Sequence, residues 1–485
     1  MMKSRLARPA RFLQNNDMPI LSALRVRCPY FGRDRSKDRF RIFDSRSRAA
    51  FAVFLAMAIS LMCGAARADL IGHGGMVRSV DISPDGHFVI TGSFDFTARL
   101  WDFGTQSELA VLDAHEGPVT GAVFSPDGKL AVTTSDDRTA IIWDLASKTP
   151  VRHLRGHEHK VMAAAVSPNG KLVATGSWDR TVRIWDLKSG ENLRVINHSS
   201  PVNDLAFVNG GAWLAAGGHD GKIAVWSVAD GKLQGVLEGH RQGISKLRAY
   251  SGGAKLLSAS IDRTLRVWDI ATLSQSKVLV HGEDRNGQVY AADISPDGRR
   301  VLSAGRDGRL VLWDLASGEI VRTIHAHDKI VWAARFTPDG AFALTASADE
   351  STAVWHLETG DRIGLRADDR DDGRHPWLTS DHPGAKLYTK CANCHALDAQ
   401  AISRSGPHFE GLWGRKVGAV AGYNYSGALQ NKSFTWNEKT LFELFDKGPD
   451  KFLPGTKMPV QRVPNKQQLA ELVDYLRILT GTGKE

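Results

Sequence analysis

The chain has 485 residues, 42% apolar and 24% charged, which suits two or three globular domains and excludes a fibrous or low-complexity polymer. Its formal charge of +9 invites a nucleic-acid reading, but that charge is confined to one end. Residues 1–68 hold 14 of the 62 Lys and Arg and only 4 of the 53 Asp and Glu, so the remainder is close to neutral and offers no electrostatic reason to bind DNA or RNA.

The basic leader ends in an uncharged run, AAFAVFLAMAISLMCGAA (49–66), preceded by Arg46 and Arg48 and followed by Ala66-Arg67-Ala68. A positive region, an apolar core and small residues before the cut predict an export signal cleaved after Ala68, and hence a periplasmic protein. The run is also just long enough to serve as an uncleaved N-terminal membrane anchor. Forty-eight basic-rich residues exceed what a signal needs, and a start codon assigned too far upstream accounts for them better than a folded basic domain. Cys63 is a poor lipidation site because Met62 stands where a small residue is required. Cleavage removes Cys28 and Cys63, so the mature chain keeps only Cys391 and Cys394 and has no disulfide framework.

From about residue 70 to 366 the sequence repeats itself. Trp101, Trp143, Trp185, Trp226, Trp268, Trp313 and Trp355 recur at spacings of 41 to 45 residues. Each is preceded by a histidine (His73, His115, His157, His198, His240, His281, His327) and, six residues before it, by an aspartate (Asp95, Asp137, Asp179, Asp220, Asp262, Asp307, Asp349). SPDG or a close variant (83–86, 125–128, 167–170, 295–298, 337–340) supplies turn residues, and runs such as TVRIWDL (181–187) alternate as strands do. Four strands per repeat, repeated seven times, predict an all-β seven-bladed propeller over residues 69–366.

These residues resemble the WD-repeat family. The resemblance implies a hydrogen-bonded set of His, Ser/Thr, Asp and Trp in each blade, with the hydroxyl expected at Ser93, Ser135, Ser177, Ser260 and Ser347. Gly218 and Gly305 occupy that place in blades four and six, which are therefore expected to be less rigid. The seven histidines fall on the family's structural position, so they are read as structural and not as a metal cluster. The other propeller histidines have no repeated placement. Only Asp69–Gly72 precede the first repeat, so Asp361–Arg366 are expected to complete blade seven from its own chain. The family usually binds proteins, through loop positions that here read Phe94, Trp178, Ile261 and Arg306, and positions near the start of the inner strands that read Arg78, Met162, Tyr290 and Trp332. Some of these are equally suited to packing within or between blades.

Residues 367–382 are acidic and polar and read as a linker, with Trp377 a possible anchor to either side. Beyond it the repeat grammar stops, and KCANCHALD (390–398) carries Cys391 and Cys394 spaced C-x-x-C and followed by His395. A structural zinc site needs four ligands and no other cysteine remains. A redox pair wants a βαβ context, which is missing. Covalent haem attachment needs nothing more than two thiols and the histidine.

Together with SGPHFEGLWGRKVGAVAGYNYSGAL (405–429), FTW (434–436) and PGTKMP (454–459), this region resembles class I cytochrome c, a small all-α domain, here 383–485. The resemblance implies one covalent haem c, held by thioethers from Cys391 and Cys394, with His395 and Met458 as the iron ligands. It further implies that the Pro407 carbonyl orients His395, that Arg415, Tyr425 and Trp436 hold a propionate, and that Thr456 hydrogen-bonds on the distal side. Pro383–Cys391 and Lys466–Leu479 are read as two helices that cross in this family. Leu444–Phe445 depart from it, since a distal tyrosine is usual near there. His408 stands beside Pro407 and is a poor rival to Met458.

A closed His/Met site implies a one-electron carrier, not a catalyst of its own reaction, with the propeller as its docking module and redox proteins as partners. Residues 380–485 carry 14 basic and 10 acidic side chains, so Lys390, Lys416 and Lys457 are candidates to steer the haem edge onto an acidic partner, or equally to rest it against the chain's own propeller. A periplasmic oxidoreductase with a catalytic propeller and a cytochrome outlet is the alternative, and a redox-sensing scaffold a third.

Overall fold

The computed structural model describes residues 69–282, 286–363, 380–392, 395–399, 406–421, 423, 425–430, 432–456, 458 and 461–481. The leader, the linker from 367 to 379, Cys394 and Lys457 lie outside the described residues. Among those described, no helix is long and apolar enough to cross a membrane.

Blade one sets the pattern: β1 (Val77–Ile82), β2 (Phe88–Ser93), β3 (Ala98–Asp102) and β4 (Glu108–Leu112) form an antiparallel sheet in chain order. Five further sheets repeat this arrangement, and the seventh contains three full strands. A turn such as Ser83–Gly86 joins the first two strands, with Ser83 Oγ donating to Asp85 Oδ1 at 2.5 Å and Gly86 at φ 75°, where glycine carries no steric cost. The inner three strands of each blade are covered on both faces by neighbouring blades. That is why the second strands, such as Leu172–Ser177 and Arg300–Gly305, are buried almost throughout. The outermost strands keep one face in solvent, and Leu193, Val195, Val280 and Ile320 there are about half exposed.

Ring closure departs from expectation. Of the segment Asp361–Arg366, residues 361–363 are described, and they do not form the missing strand by themselves. Arg362 pairs with Trp355 at one end of Thr352–His356, and Leu70 pairs with Thr352 at the other. Leu70 N donates to Thr352 O at 3.0 Å, and Arg362 Nε donates to Asp69 Oδ1 at 2.9 Å. Closure is thus shared between the two ends of the propeller. Four residues suffice because they cover only half the strand.

The hydroxyl of the His–Asp–Trp set also sits elsewhere than expected. In blade one Thr91 Oγ1 bonds His73 Nε2 at 2.7 Å and accepts from Trp101 Nε1 at 2.8 Å, while His73 Nδ1 meets Asp95 Oδ2 at 2.9 Å. Thr133, Thr175, Ser258 and Thr345 do the same in blades two, three, five and seven. Ser93 instead donates to Gly75 O and accepts from Asp95 N, so its row shapes the turn. The hydroxyl must lie on the strand beside the tryptophan, two residues earlier. In blade six Ser303 keeps that place, with the His281 ring reversed so that Nδ1 meets the hydroxyl and Nε2 meets Asp307. Blade four has Ala216 there, and His198 turns to Ser200 O, leaving Nε2 buried without a partner.

The C-terminal domain is helical. Helix α1 (Ala385–Ala392), α2 (Glu438–Lys447) and α3 (Lys466–Thr480) surround a core built on Tyr388, Leu412, Leu441, Leu444, Leu469, Val473 and Leu476. Asn437 opens α2 with a capping box, and Asn465 opens α3 by accepting from Gln467 N and Gln468 N. The first and last helices cross closely: a Cβ on Gly384 would lie 2.2 Å from Glu471 O, and His382 stacks on Tyr475 with centroids 5.0 Å apart.

Candidate haem crevice and propeller mouth

Helix α1 presents Cys391 on its buried face, and His395 N donates to Cys391 O at 2.9 Å, which holds His395 beside it. His395 Nδ1 lies 2.7 Å from Pro407 O. A carbonyl only accepts, so Nδ1 carries the proton and Nε2 is left basic. The imidazole lies flat on Phe409, with centroids 4.4 Å apart and an interplanar angle of 12°. The loop holding Pro407 is itself tied down: Arg415 donates through Nη1 to Glu410 O at 2.8 Å and through Nη2 to His408 O at 2.9 Å.

One cavity gathers Cys391, His395, Pro407, Arg415, Tyr425, Trp436, Thr456 and Met458. Met458 follows a turn in which Gly455 stands at φ 86° and Thr456 N donates to Leu453 O at 2.9 Å. The Met458 N–H then donates to Thr456 Oγ1 at 3.2 Å. Much of the remaining lining is apolar, including Leu412, Leu429, Leu441, Leu444, Phe445 and Leu453, while Asp95, Thr97 and Asp113 of the propeller and Lys390, Tyr423, Ser426 and Gln461 add polar groups. Burial pushes the Tyr425 hydroxyl above its ordinary pKa and the Arg415 guanidinium below its own. Tyr425 Oη accepts from Val420 N at 3.3 Å. Of the lysines considered for steering, Lys390 borders the cavity and Lys416 is exposed on a bridge to Thr435.

The donor set fits a haem. A thiol, a basic imidazole nitrogen and a thioether share one cavity with a largely leucine and aromatic wall, and Ser426 Oγ on that wall is buried without a hydrogen-bond partner. Sequence reasoning missed Ser426 and Tyr423, both of which line the cavity; the polar spacing of YNYS (423–426) was the available signal.

At the propeller axis, Arg78, Met162, Trp178, Ile261, Tyr290 and Trp332 line one channel mouth. All six are partly exposed, so none is a core residue. Arg306 stands apart, beside Ile261 in an adjoining hollow, and Phe94 is half-buried outside the channel. Deeper in the channel lies a charged ring that sequence reasoning missed. Arg335 bonds Asp81 (Nε, 2.8 Å) and Asp293 (Nη1, 3.1 Å), Arg248 Nε bonds Asp293 at 3.2 Å, and Lys246 bonds Asp204 at 3.2 Å. Each of these aspartates also accepts a backbone N–H from the next blade: Phe124, Phe336 and Leu247, at 2.9, 2.8 and 2.7 Å.

Comparison with known proteins matches the WD domain, G-beta repeat, at residues 65–102, 106–144, 148–186, 190–227, 231–269, 275–314 and 318–356, and Cytochrome c at 382–480. Cytochrome c of Nigella damascena is 43% identical over 95 residues, 19% of this chain and 85% of that protein. The chain belongs to the WD-repeat and cytochrome c families. Cytochromes c of Gibberella zeae (41% over 95 residues, 19% of this chain and 89% of that protein) and Ginkgo biloba (40% over 98 residues, 20% and 86%) are similar to the same stretch. This WD-repeat cytochrome carries a covalently bound haem c.

Proposed function

We propose that the protein is an exported, periplasmic one-electron carrier whose propeller selects the redox partner. The observation that carries this reading is the meeting of His395 and Met458 in one largely apolar cavity, with His395 Nδ1 held by the Pro407 carbonyl. A haem attached at Cys391 and Cys394, with His395 and Met458 as its iron ligands, would supply a one-electron couple and would not be available to bind oxygen or peroxide. The chain's own residues do the rest. Pro407 fixes the imidazole tautomer, Arg415 fixes the loop that bears Pro407, and the leucine and phenylalanine walls keep water away. Arg415, Tyr425 and Trp436 are assigned to the propionate side, and Thr456 to the backbone of the Met458 turn.

The test is spectroscopic. Met458→Ala should abolish the near-infrared absorption that marks a methionine–iron bond in the oxidised protein, and its survival would sink the ligand assignment. For the carrier role, the protein is captured from periplasmic and membrane extracts with its partners. Reduction of its haem by a captured protein is the expected result, and substrate turnover by the isolated protein with no partner would refute it.

A further inference from the structure

Among the described residues lining the channel mouth, one cation forms no ion pair with the ring below. Lys246, Arg248 and Arg335 are matched by Asp81, Asp204 and Asp293. Asp136, in blade two, is held by Lys160 at 2.5 Å. Arg78 makes neither a hydrogen bond nor an ion pair among the described residues; its guanidinium carbon sits 4.1 Å above the Trp332 ring centroid. Trp332 in turn packs on Tyr290, with centroids 4.7 Å apart, and its buried Nε1 has no acceptor.

The surroundings tell what would complete this arrangement. A guanidinium stacked on an indole keeps its in-plane N–H donors free, and those donors match a carboxylate edge to edge. Burial pushes the Arg78 pKa down to about 10, so it stays charged at neutral pH while having lost much of its hydration. Neighbouring blades show what the same register does when nothing is to be bound. Thr120, Asn203 and Ser245 stand one residue after the first valine or isoleucine of their inner strands, as Arg78 does. Each donates to a backbone carbonyl of the next blade, Val161 O, Ile244 O and Val289 O respectively. Arg78 makes no such bond and faces the axis among Met162, Tyr290 and Trp332.

We propose that the propeller mouth recognises an acidic side chain, Glu or Asp, on an extended or looped segment of the partner protein, with Arg78 as the anchor and Met162, Trp178, Ile261, Tyr290 and Trp332 as an apolar collar for the flanking residues. This rests on the docking reading above and names the chemistry of the partner. Charge complementarity selects the carboxylate: among the described residues lining the mouth, Arg78 is the cation that forms no ion pair, and apolar and aromatic side chains flank it.

The probe is a phage-displayed library of random heptapeptides selected on the full haem-loaded protein. Recovered binders should carry a Glu or Asp, and replacing it with Gln or Asn should weaken binding by about tenfold or more, as loss of a buried charged hydrogen bond does. The same binders should lose affinity for Arg78→Met, retain part of it for Arg78→Lys, and weaken on Trp332→Leu. Unchanged haem absorption and unfolding temperature in each variant establish that it is folded. Binders that compete at the mouth yet need no carboxylate, or that bind Arg78→Met equally well, overturn the proposal and leave the docking reading standing. Recovery of no binder to the mouth overturns both. Tighter binding after D368N/D369N/D371N/D372N would assign the mouth to the chain's own acidic linker and also overturn the partner assignment.

Discussion

Thr175→Val removes one oxygen from blade three and keeps the shape of the side chain. Thr175 is fully buried; its hydroxyl donates to His157 Nε2 at 2.8 Å and accepts from Trp185 Nε1 at 2.9 Å. The direction follows from the other nitrogen, because His157 Nδ1 must carry the proton that bonds Asp179 Oδ2 at 2.7 Å. Valine therefore orphans one buried donor and one buried acceptor at once, each costing about 1–3 kcal/mol. The added methyl returns about 0.8 kcal/mol of hydrophobic stabilisation, and the net loss should be about 1–5 kcal/mol. Urea unfolding followed by tryptophan fluorescence reports the propeller, while haem absorbance reports the other domain independently. Blade four is the internal control: Ala216 gives His198 no such relay, so His198→Phe should cost far less than His157→Phe. A loss below about 0.5 kcal/mol for Thr175→Val, or equal losses for the two histidines, would refute the claim that the relay stabilises the blade beyond packing.

Arg335→Met strips the salt bridges from Asp81 and Asp293, both mostly buried, and should lower propeller stability by roughly 3–5 kcal/mol in the same unfolding assay. Lys222→Ala, which breaks an exposed pair with Glu238, should leave the midpoint where it is. Gly384→Ala pushes a methyl into Glu471 O and should destabilise the haem domain by about 1–3 kcal/mol, read by haem absorbance, without moving the fluorescence transition of the propeller. Acid should act in two stages. Burial lowers the pKa of His73 and His157, so the unfolded chain takes up protons first and stability falls as pH drops below the ordinary histidine value. For Asp307 and Asp349 burial opposes ionisation, but hydrogen bonds and charge from His281 and His327 prevail and hold them at about 2. That contribution is intact above about pH 4 and is lost between there and about pH 2. A melting temperature flat from pH 7 to 3 would contradict both assignments.

What the sequence revealed and what it hid divide along a physical line. Repeats declare themselves because each blade solves the same packing problem, so Trp, His and Asp recur at one spacing and the fold follows from counting. Candidate haem residues could be named because the C-x-x-C-H run and the PGTKMP turn each need a fixed local order, and the structure brings the described ones to a single cavity. The hydroxyl row was misplaced by two residues because both rows are rich in small hydroxyl side chains. Only the strand pairing, which sets Thr91 opposite Arg99 next to Trp101, tells them apart. Closure was half right for a similar reason: length alone excludes a full strand from Asp69–Gly72 but not half of one. The channel ring was invisible because no motif joins Asp81 to Arg335, 254 residues away. Yet a signal existed. Inner strands that should alternate apolar and small residues read VRSVDI, ISKLRAY and VWAARF, with charges where a simple core would have none. Charges on inner strands must answer one another across the axis, and tallying which are answered is what isolates Arg78. The residue that breaks the balance is the one a partner has reason to meet.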